Sequence, residues 1–247
     1  MFDVFTFLAI AATFAIAGGV KGVIGLGLPT VSLGLLTAVL DLPTAMAVLI
    51  APSFVTNLYQ SSVGGHANLI LRRIWPFLLT ATAAVWLGAI ALTRVEFGVL
   101  TALLGFLLVA YGGLSLAGIR LMIPAHSEKW TGLIFGAANG ILTGMTGSFV
   151  VPGVMYLQSI GLSRDMLVQA MGMLFTMSTF ALTFALGTNG LLSTELGIVS
   201  LLAVLPSLIG MWIGQYLRHR LSEAQFRRSL FIGIVLLGVY ILLDVTF

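Results

Sequence analysis

The sequence has no cysteine among its 247 residues, and only 8% of the residues are charged. The lack of cysteine excludes disulfides, thiolate metal sites and iron–sulfur clusters. Three scattered histidines stand at no metal-ligand spacing, so we expect neither a metal site nor a cofactor. Soluble domains carry about 25% charged residues, and a surface made from this chain could not face water. The chain is 59% hydrophobic with a mean hydropathy of +1.13, which is typical of an integral membrane protein.

Apolar segments follow one another along the whole chain, and about 20 such residues are needed to span a bilayer as a helix. The first segment has Asp3 in place of a basic n-region, so we expect a retained membrane helix rather than a signal peptide. A polar connector at 121–131 separates a first half (1–120) from a second half (132–247). The segments lie at roughly 4–20, 23–40, 43–63, 74–93, 97–119, 132–145, 148–160, 164–187, 194–217 and 226–246.

The two halves resemble each other in three stretches that occur in the same order. GGVKG (18–22) aligns with GAANG (136–140), and LDLPTAM (40–46) aligns with IGLSRDM (160–166). Near the end of each half, EFGVLTALLGFLLVAYGGL (96–114) resembles QFRRSLFIGIVLLGVYILL (225–243). Because the order is shared, duplication explains these matches better than chance in a biased composition.

The basic residues predict opposite orientations for the two halves. The loop RHRLSEAQFRR (218–228) is strongly basic, whereas its counterpart TRVEF (93–97) is nearly neutral. The loop that carries Arg72 and Arg73 is basic, whereas its counterpart GTNGLLSTE (187–195) has no base. Because basic loops stay in the cytoplasm, this pattern predicts inverted repeats of about five segments each. We therefore expect a cytoplasmic connector and two termini that face outward.

Glycine and proline interrupt two of the hydrophobic segments, in GVKGVIGLGLP (19–29, the first break) and NGILTGMTGSFVVP (139–152, the second break). Irregular backbone at membrane depth survives only against protein or a wet cavity, and such interruptions mark transporter binding sites. The amides at the start of each following half-helix favour an anion. We expect the breaks to face one another at the repeat interface and to bind one small anion. The alternative for each glycine is close helix packing.

Lys21 is the one basic residue at a break, and its repeat counterpart is the neutral Asn139. An ionised side chain in hydrocarbon costs several kcal/mol unless it is paired or hydrated. Lys21 either supplies positive charge to the substrate path or lies at the mouth of the break and reaches water. The other substrate-binding candidates are Gly22, Gly25, Gly27, Asn57, Gln60, Asn139, Gly140, Thr143, Thr146, Gly147, Ser148, Gln169 and Thr176, with Pro29 and Pro152 as hinge positions.

The sequence lacks the usual marks of an enzyme or of a proton-coupled pump. Every acidic residue falls at or near a predicted segment end, whereas proton relays need a carboxylate inside a segment. The motifs of ATP hydrolysis, zinc proteolysis and serine hydrolysis are absent. The net charge of +3 is too small to indicate a nucleic-acid partner. We expect no enzymatic activity, and the partners are the bilayer and a small anion.

At the two breaks the sequence resembles the sulfite exporter TauE/SafE family, also called the toluene sulfonate uptake permease family. The resemblance rests on GGVKGVIGLGLPTVSLGLLTAVLDLPTAMAV (18–48) and GAANGILTGMTGSFVVPGVMYLQSIGLSRDMLVQAMGM (136–173), and it extends over the chain in length and segment pattern. Leu26 and Leu28 stand where the family pattern has glycine. The resemblance implies transport of sulfite, or of sulfonates such as sulfoacetate, across a bacterial inner membrane. The two termini that face outward are then expected to be periplasmic.

Together these observations predict an all-α polytopic membrane protein that is a secondary transporter working by alternating access. Two rivals stay open at this stage: an anion channel, and a non-catalytic membrane subunit of a larger complex. The sequence also leaves open whether the chain forms a homodimer, which direction it transports and which ion is coupled.

Overall fold

The computed structural model describes residues 2–118, 122–218 and 220–246, without the side chains of Glu223 and Thr246. Residues 119–121, which are the end of the predicted first half and the first residue of the predicted connector, and His219 in the basic loop lie outside these residues. The described residues form helices joined by short loops and one 3₁₀ turn at Ile90–Thr93. The helices are α1 (Val4–Ile24), α2 (Leu28–Leu36), α3 (Leu42–Ser62), α4 (Ala67–Ala89), α5 (Phe97–Leu116), α6 (Glu128–Thr146), α7 (Gly153–Ser159), α8 (Arg164–Thr188), α9 (Thr194–Leu217) and α10 (Glu223–Thr246).

Seven of these helices are long and apolar enough to cross a membrane: α1, α3, α4, α5, α8, α9 and α10. Large apolar side chains are exposed along them, as at Leu201, Leu205 and Trp212 of α9, which suits contact with lipid. The predicted all-α polytopic membrane fold is confirmed. A long helix, a short helix and three long helices follow one another in each half. That the halves are related as inverted repeats stays a prediction.

Packing divides the chain into two compact units, and each unit takes helices from both halves of the sequence. The first unit contains α1, α2, α5, α9, α10 and the part of α3 up to Pro52. The second unit contains the rest of α3, from Ser53, together with α4, α6, α7 and α8. The structural units therefore differ from the predicted halves 1–120 and 132–247, whose duplication is a statement about sequence and stays a prediction.

In the first unit, glycines bring α1 and α9 into backbone contact. A Cβ added at Gly18 would overlap the carbonyl oxygen of Ser207, and one at Gly22 would overlap that of Met211. From the other side, a Cβ at Gly214 would overlap the carbonyl oxygen of Gly19. Small residues allow helices in membranes to approach this closely, and the contact is made by van der Waals packing rather than by a hydrophobic driving force.

The second unit uses the same device between α4 and α6. A Cβ at Gly140 would overlap the carbonyl oxygen of Ala81, and a Cβ at Gly144 would overlap that of Val85. Gly88 of α4 faces the backbone of α6 at Ile141 in turn. Most of the glycine in GAANG and in GGVKG therefore lies inside helices and serves packing.

Helix α4 begins seven residues before the predicted segment at 74, so Arg72 and Arg73 lie in a helix and not in a loop. Arg73 can enter the helix because its guanidinium makes two hydrogen bonds to the Glu128 carboxylate, of 2.6 and 3.0 Å. The same guanidinium donates to the carbonyl oxygen of Ile160, just after α7 (2.6 Å). The second turn of α4, the start of α6 and the end of α7 are thereby held together.

Pro52 lies inside α3 and removes one of its backbone hydrogen bonds, and Ser200 of α9 supplies a replacement donor. A proline has no amide hydrogen, so the carbonyl of Val48 loses its usual helical donor. The Ser200 hydroxyl donates to that carbonyl oxygen (2.9 Å) and accepts from the amide of Ala51 (2.9 Å). Ser200 is 2% exposed, so water does not replace it at this point.

Candidate functional site

At the first break the helical conformation is interrupted at Gly25–Gly27, between α1 and α2. Gly25 has φ +78° and Gly27 has φ +105°, a region that side-chain-bearing residues rarely adopt. The Gly25 amide donates to the carbonyl of Lys21 (2.8 Å) and closes α1. Pro29 stands in the first turn of α2, where its missing amide hydrogen costs nothing. The start of α2 has no side-chain cap.

Lys21 lies in the last turn of α1, one turn before the glycine cap. Its side chain is only 4% exposed, although it ends in an ammonium group, which water hydrates strongly. A lysine that reached water at the mouth of the break would be far more exposed. The burial argues against a position at the mouth of the break, and a contribution of positive charge to the substrate path stays a prediction.

The two glycines that precede the interruptions, Gly22 and Gly140, face neighbouring helices. Both were predicted to bind substrate. Gly22 packs against the α9 backbone at Met211, and Gly140 against the α4 backbone at Ala81. The absence of a side chain at either position is thus explained by helix packing.

At the second break the helical conformation is interrupted at 147–152, between α6 and α7. Gly147 caps α6 in the left-handed conformation, and its amide donates to the Thr143 carbonyl (2.8 Å). The Thr143 hydroxyl donates to the carbonyl of Ser148 (3.0 Å), while the Ser148 amide donates to the Thr146 hydroxyl (3.2 Å). These predicted site residues satisfy the irregular backbone of the break, as backbone buried at membrane depth requires. Pro152 stands directly before α7.

Asn139 is completely buried, and its amide is held from one side only. Its Oδ1 accepts the amide hydrogen of Gly153, the first residue of α7 (2.9 Å). That bond fixes which end of the amide is oxygen, because an N–H group must face an acceptor. The Nδ2 donor on the other end has no hydrogen-bond partner within the described part of the chain. The second break thus presents one oriented, buried and unused donor.

Three of the predicted amides lie in the second unit and bond to the protein itself. Gln60 donates from Nε2 to the Val168 carbonyl (2.7 Å), and Gln169 donates from Nε2 to the Ser61 carbonyl (2.9 Å). Gln169 also accepts from the His66 amide through Oε1 (3.1 Å). These reciprocal bonds join α3 to α8. The third amide, that of Asn57, lies on α3. Thr176 lies on α8, where its hydroxyl donates a hydrogen bond to the Gly172 carbonyl (2.7 Å).

A chain of hydroxyls beside Asn57 was not predicted from the sequence. Asn57 Nδ2 donates to the Ser53 hydroxyl (2.9 Å), which lies 3.3 Å from the Thr179 hydroxyl. Thr179 gives its own hydrogen to the carbonyl of Phe175 (2.6 Å), so Ser53 donates to Thr179. The available signal was the position of Ser53 directly after Pro52, where a proline inside a helix leaves a backbone carbonyl without its amide donor.

A family model described as Sulfite exporter TauE/SafE matches residues 10–241, nearly the whole chain. The chain belongs to the TauE/SafE sulfite exporter family. No curated protein and no solved structure matches it. As a TauE/SafE protein, the chain is a multi-pass membrane transporter of sulfur anions. Membership of a transporter family is consistent with the expectation that the chain is not an enzyme.

In this TauE/SafE protein the predicted site residues fall in both compact units. Lys21, Gly22, Gly25, Gly27 and Pro29 belong to the first unit. The second unit holds Asn57, Gln60, Asn139, Gly140, Thr143, Thr146, Gly147, Ser148, Pro152, Gln169 and Thr176. The second unit therefore contains both the second break and the polar side chains described above on α3 and α8. Contact with substrate stays a prediction for all of these residues.

Proposed function

We propose that the chain is a secondary transporter that moves a small sulfur oxyanion, sulfite or an organosulfonate such as sulfoacetate, across the inner membrane by alternating access. The observation that carries this proposal is the unused donor of Asn139. Family membership supports the sulfur chemistry, and the geometry of the second break supports an oxyanion as the species bound.

A buried donor without an acceptor costs about 1–3 kcal/mol in folding free energy. Asn139 Nδ2 is such a donor, because its side chain is fully buried and its other end is already bonded to Gly153. A sulfite or sulfonate oxygen is a strong, charged acceptor, and binding to it would recover that cost. The donor is neutral, so it can recognise an anion without holding it too tightly for release.

The placement of the carboxylates also favours an anion over a cation. The acidic residues whose side chains the structure describes lie at or beside helix ends: Asp3, Asp41, Glu96, Glu128, Asp165, Glu195 and Asp244. A carboxylate at a break would repel sulfite and attract a cation. Lys21, which is buried in the last turn of α1, is proposed to supply the positive charge in the first unit.

The test is uptake of sulfite and sulfoacetate by liposomes that contain the purified protein. In Asn139→Asp the aspartate keeps an acceptor for the Gly153 amide and replaces the donor by a carboxylate oxygen. We expect this variant to raise KM at least about tenfold, because one hydrogen bond to a charged group is lost. Asn189→Leu is the matched control, since the Asn189 Nδ2 already donates to the Ala185 carbonyl (2.7 Å). Its KM should be unchanged.

Three outcomes would contradict the proposal in different ways. Unchanged KM in Asn139→Asp would remove the second break from the substrate path. Ohmic conductance in place of saturable flux would identify an anion channel. No flux of any sulfur anion would favour a non-transporting membrane subunit. In the same assay Lys21→Met should lower flux while the protein still folds, and unchanged flux would contradict the role of Lys21.

A further inference from the structure

Many threonine hydroxyls in the helices of this protein bond back to the carbonyl four residues earlier, whereas others, such as that of Thr143, bond elsewhere. Thr37 donates to Leu33 at the end of α2 (3.0 Å), and the same back-bond is made in α4, α6 and α8. The bond hides the hydroxyl hydrogen from an apolar environment. The other threonines that make it are Thr80, Thr82, Thr131, Thr146, Thr176, Thr179, Thr183 and Thr188.

Thr30 is an exception, and the first break is the reason. Thr30 is the third residue of α2, so the carbonyl four residues earlier belongs to Leu26, which lies in the break before the helix begins. The Thr30 side chain is 2% exposed, yet its hydroxyl has no hydrogen-bond partner within the described residues. A buried hydroxyl that the helix cannot satisfy therefore lies at the start of α2.

The start of α2 offers further donors beside this hydroxyl. The first amides of a helix have no acceptor within it, and here the Val31 amide is the first to find one, at the Gly27 carbonyl (2.8 Å). The amides of Leu28 and Thr30, which precede that of Val31, have no side-chain cap, because Gly27 has no side chain. The Cα–Cβ bond of a helical residue tilts toward the N-terminus, so the Thr30 side chain is directed to the same end as these amides.

We propose that the start of α2, with the Thr30 hydroxyl and the amides of Leu28 and Thr30, binds an oxygen atom of the transported oxyanion. This rests on the proposed function, because it names donors in the first unit for the same class of substrate. All three groups are neutral donors at the positive end of a helix dipole, which favours an anion. The Thr30 hydroxyl also discriminates, since a ligand that lacks an acceptor oxygen would leave it buried and unsatisfied.

The experiment compares Thr30→Val, Thr30→Ser and Thr37→Val in sulfite uptake and in thermal unfolding of the detergent-solubilised protein. Valine keeps the shape of threonine and removes the hydroxyl, whereas serine keeps the hydroxyl. Thr37 lies at the end of the same helix with its hydroxyl already bonded to Leu33 and Gly34, so Thr37→Val is the matched control.

We expect Thr30→Val to raise KM for sulfite by about tenfold to a hundredfold, as the loss of a hydrogen bond to an anion predicts. Thr30→Ser should retain most of the affinity, and Thr37→Val should retain all of it. In the absence of anion, Thr30→Val should unfold at the same temperature as wild type or higher, because it removes an unsatisfied buried hydroxyl. The stabilisation that sulfite gives to wild type should be reduced or lost in this variant.

A wild-type KM in Thr30→Val, with wild-type protein transporting sulfite, would overturn the role of Thr30 and leave the proposed function intact. A lower unfolding temperature of Thr30→Val without anion would also overturn it, because the hydroxyl would then have a structural partner. Failure of wild-type protein to transport or bind any sulfur oxyanion would overturn both. Failure of the role of Thr30 is thus seen in the variant, whereas failure of the proposed function is seen in the wild type.

Discussion

Two glycines of α1, Gly22 and Gly19, offer a direct test of whether the glycine-rich stretch serves packing or substrate. They lie three residues apart in the same helix, and both can be replaced by alanine. A Cβ at Gly22 would overlap the Met211 carbonyl oxygen and lie 2.8 Å from the Gln215 amide nitrogen, both backbone atoms of α9. A Cβ at Gly19 would lie 3.7 Å from its nearest neighbour, which is an ordinary contact.

The expected size of the effect follows from two terms. Replacing glycine by alanine inside a helix contributes about 1 kcal/mol to stability at either position. Overpacking typically costs 1–3 kcal/mol, and the upper end applies at Gly22 because the atoms in the way are backbone and cannot rotate aside. Gly22→Ala should therefore be about 2 kcal/mol less stable than wild type. Gly19→Ala should be as stable as wild type or about 1 kcal/mol more stable.

The assay is unfolding by SDS in mixed micelles, followed by the fluorescence of the four tryptophans. A difference of about 3 kcal/mol between the two variants is the expected result, from the same two terms. Equal stability of Gly22→Ala and Gly19→Ala would refute the packing role of Gly22. If folded Gly22→Ala instead lost sulfite affinity at unchanged stability, Gly22 would belong to the substrate site, as the sequence predicted.

Two further predictions concern the proline inside α3 and the orientation of the chain. Ser200→Ala should cost about 1–3 kcal/mol in the same unfolding assay, because the Val48 carbonyl, which receives no amide hydrogen from Pro52, is then left buried without its donor. The exposed Ser62, changed to alanine, should stay within about 0.5 kcal/mol, and an equal effect in both variants would contradict this. Reporter fusions at Ser127 and at the C-terminus should report opposite sides of the membrane, and the same side for both would eliminate inverted repeats.

The sequence predicted the fold class because hydrophobic length and glycine interruption are local signals. Both breaks were found, and α2 and α7 are the short helices that follow them. The start of α4 was placed too late because Arg73 reads as a loop residue until its partner Glu128 is known. That partner lies 55 positions away along the chain, where no local pattern reaches.

The roles of individual site residues were harder to predict, because composition does not show where a side chain points. Glycine in GGVKG is compatible with a break and with close packing, and only the position of α9 decides for Gly22. The amides of Gln60 and Gln169 are each fixed by a carbonyl 108 positions away, beyond any sequence motif. Asn139 could be chosen from the repeat alignment alone, whereas its unused Nδ2 required the Gly153 contact.

The interleaving of the two units sets the order in which the chain can complete its fold during synthesis. The second unit ends at Asn189, so all of its helices exist before α9 and α10 are made. Helices α1, α2 and α5 are synthesised early but belong to a unit that is finished only by the last helix. The glycine face of α1 is therefore covered by lipid or by an insertion factor until α9 has been synthesised and packs against it. A chain truncated after Asn189 would contain the complete second unit, together with α1, α2 and α5 without the α9 and α10 helices of their unit.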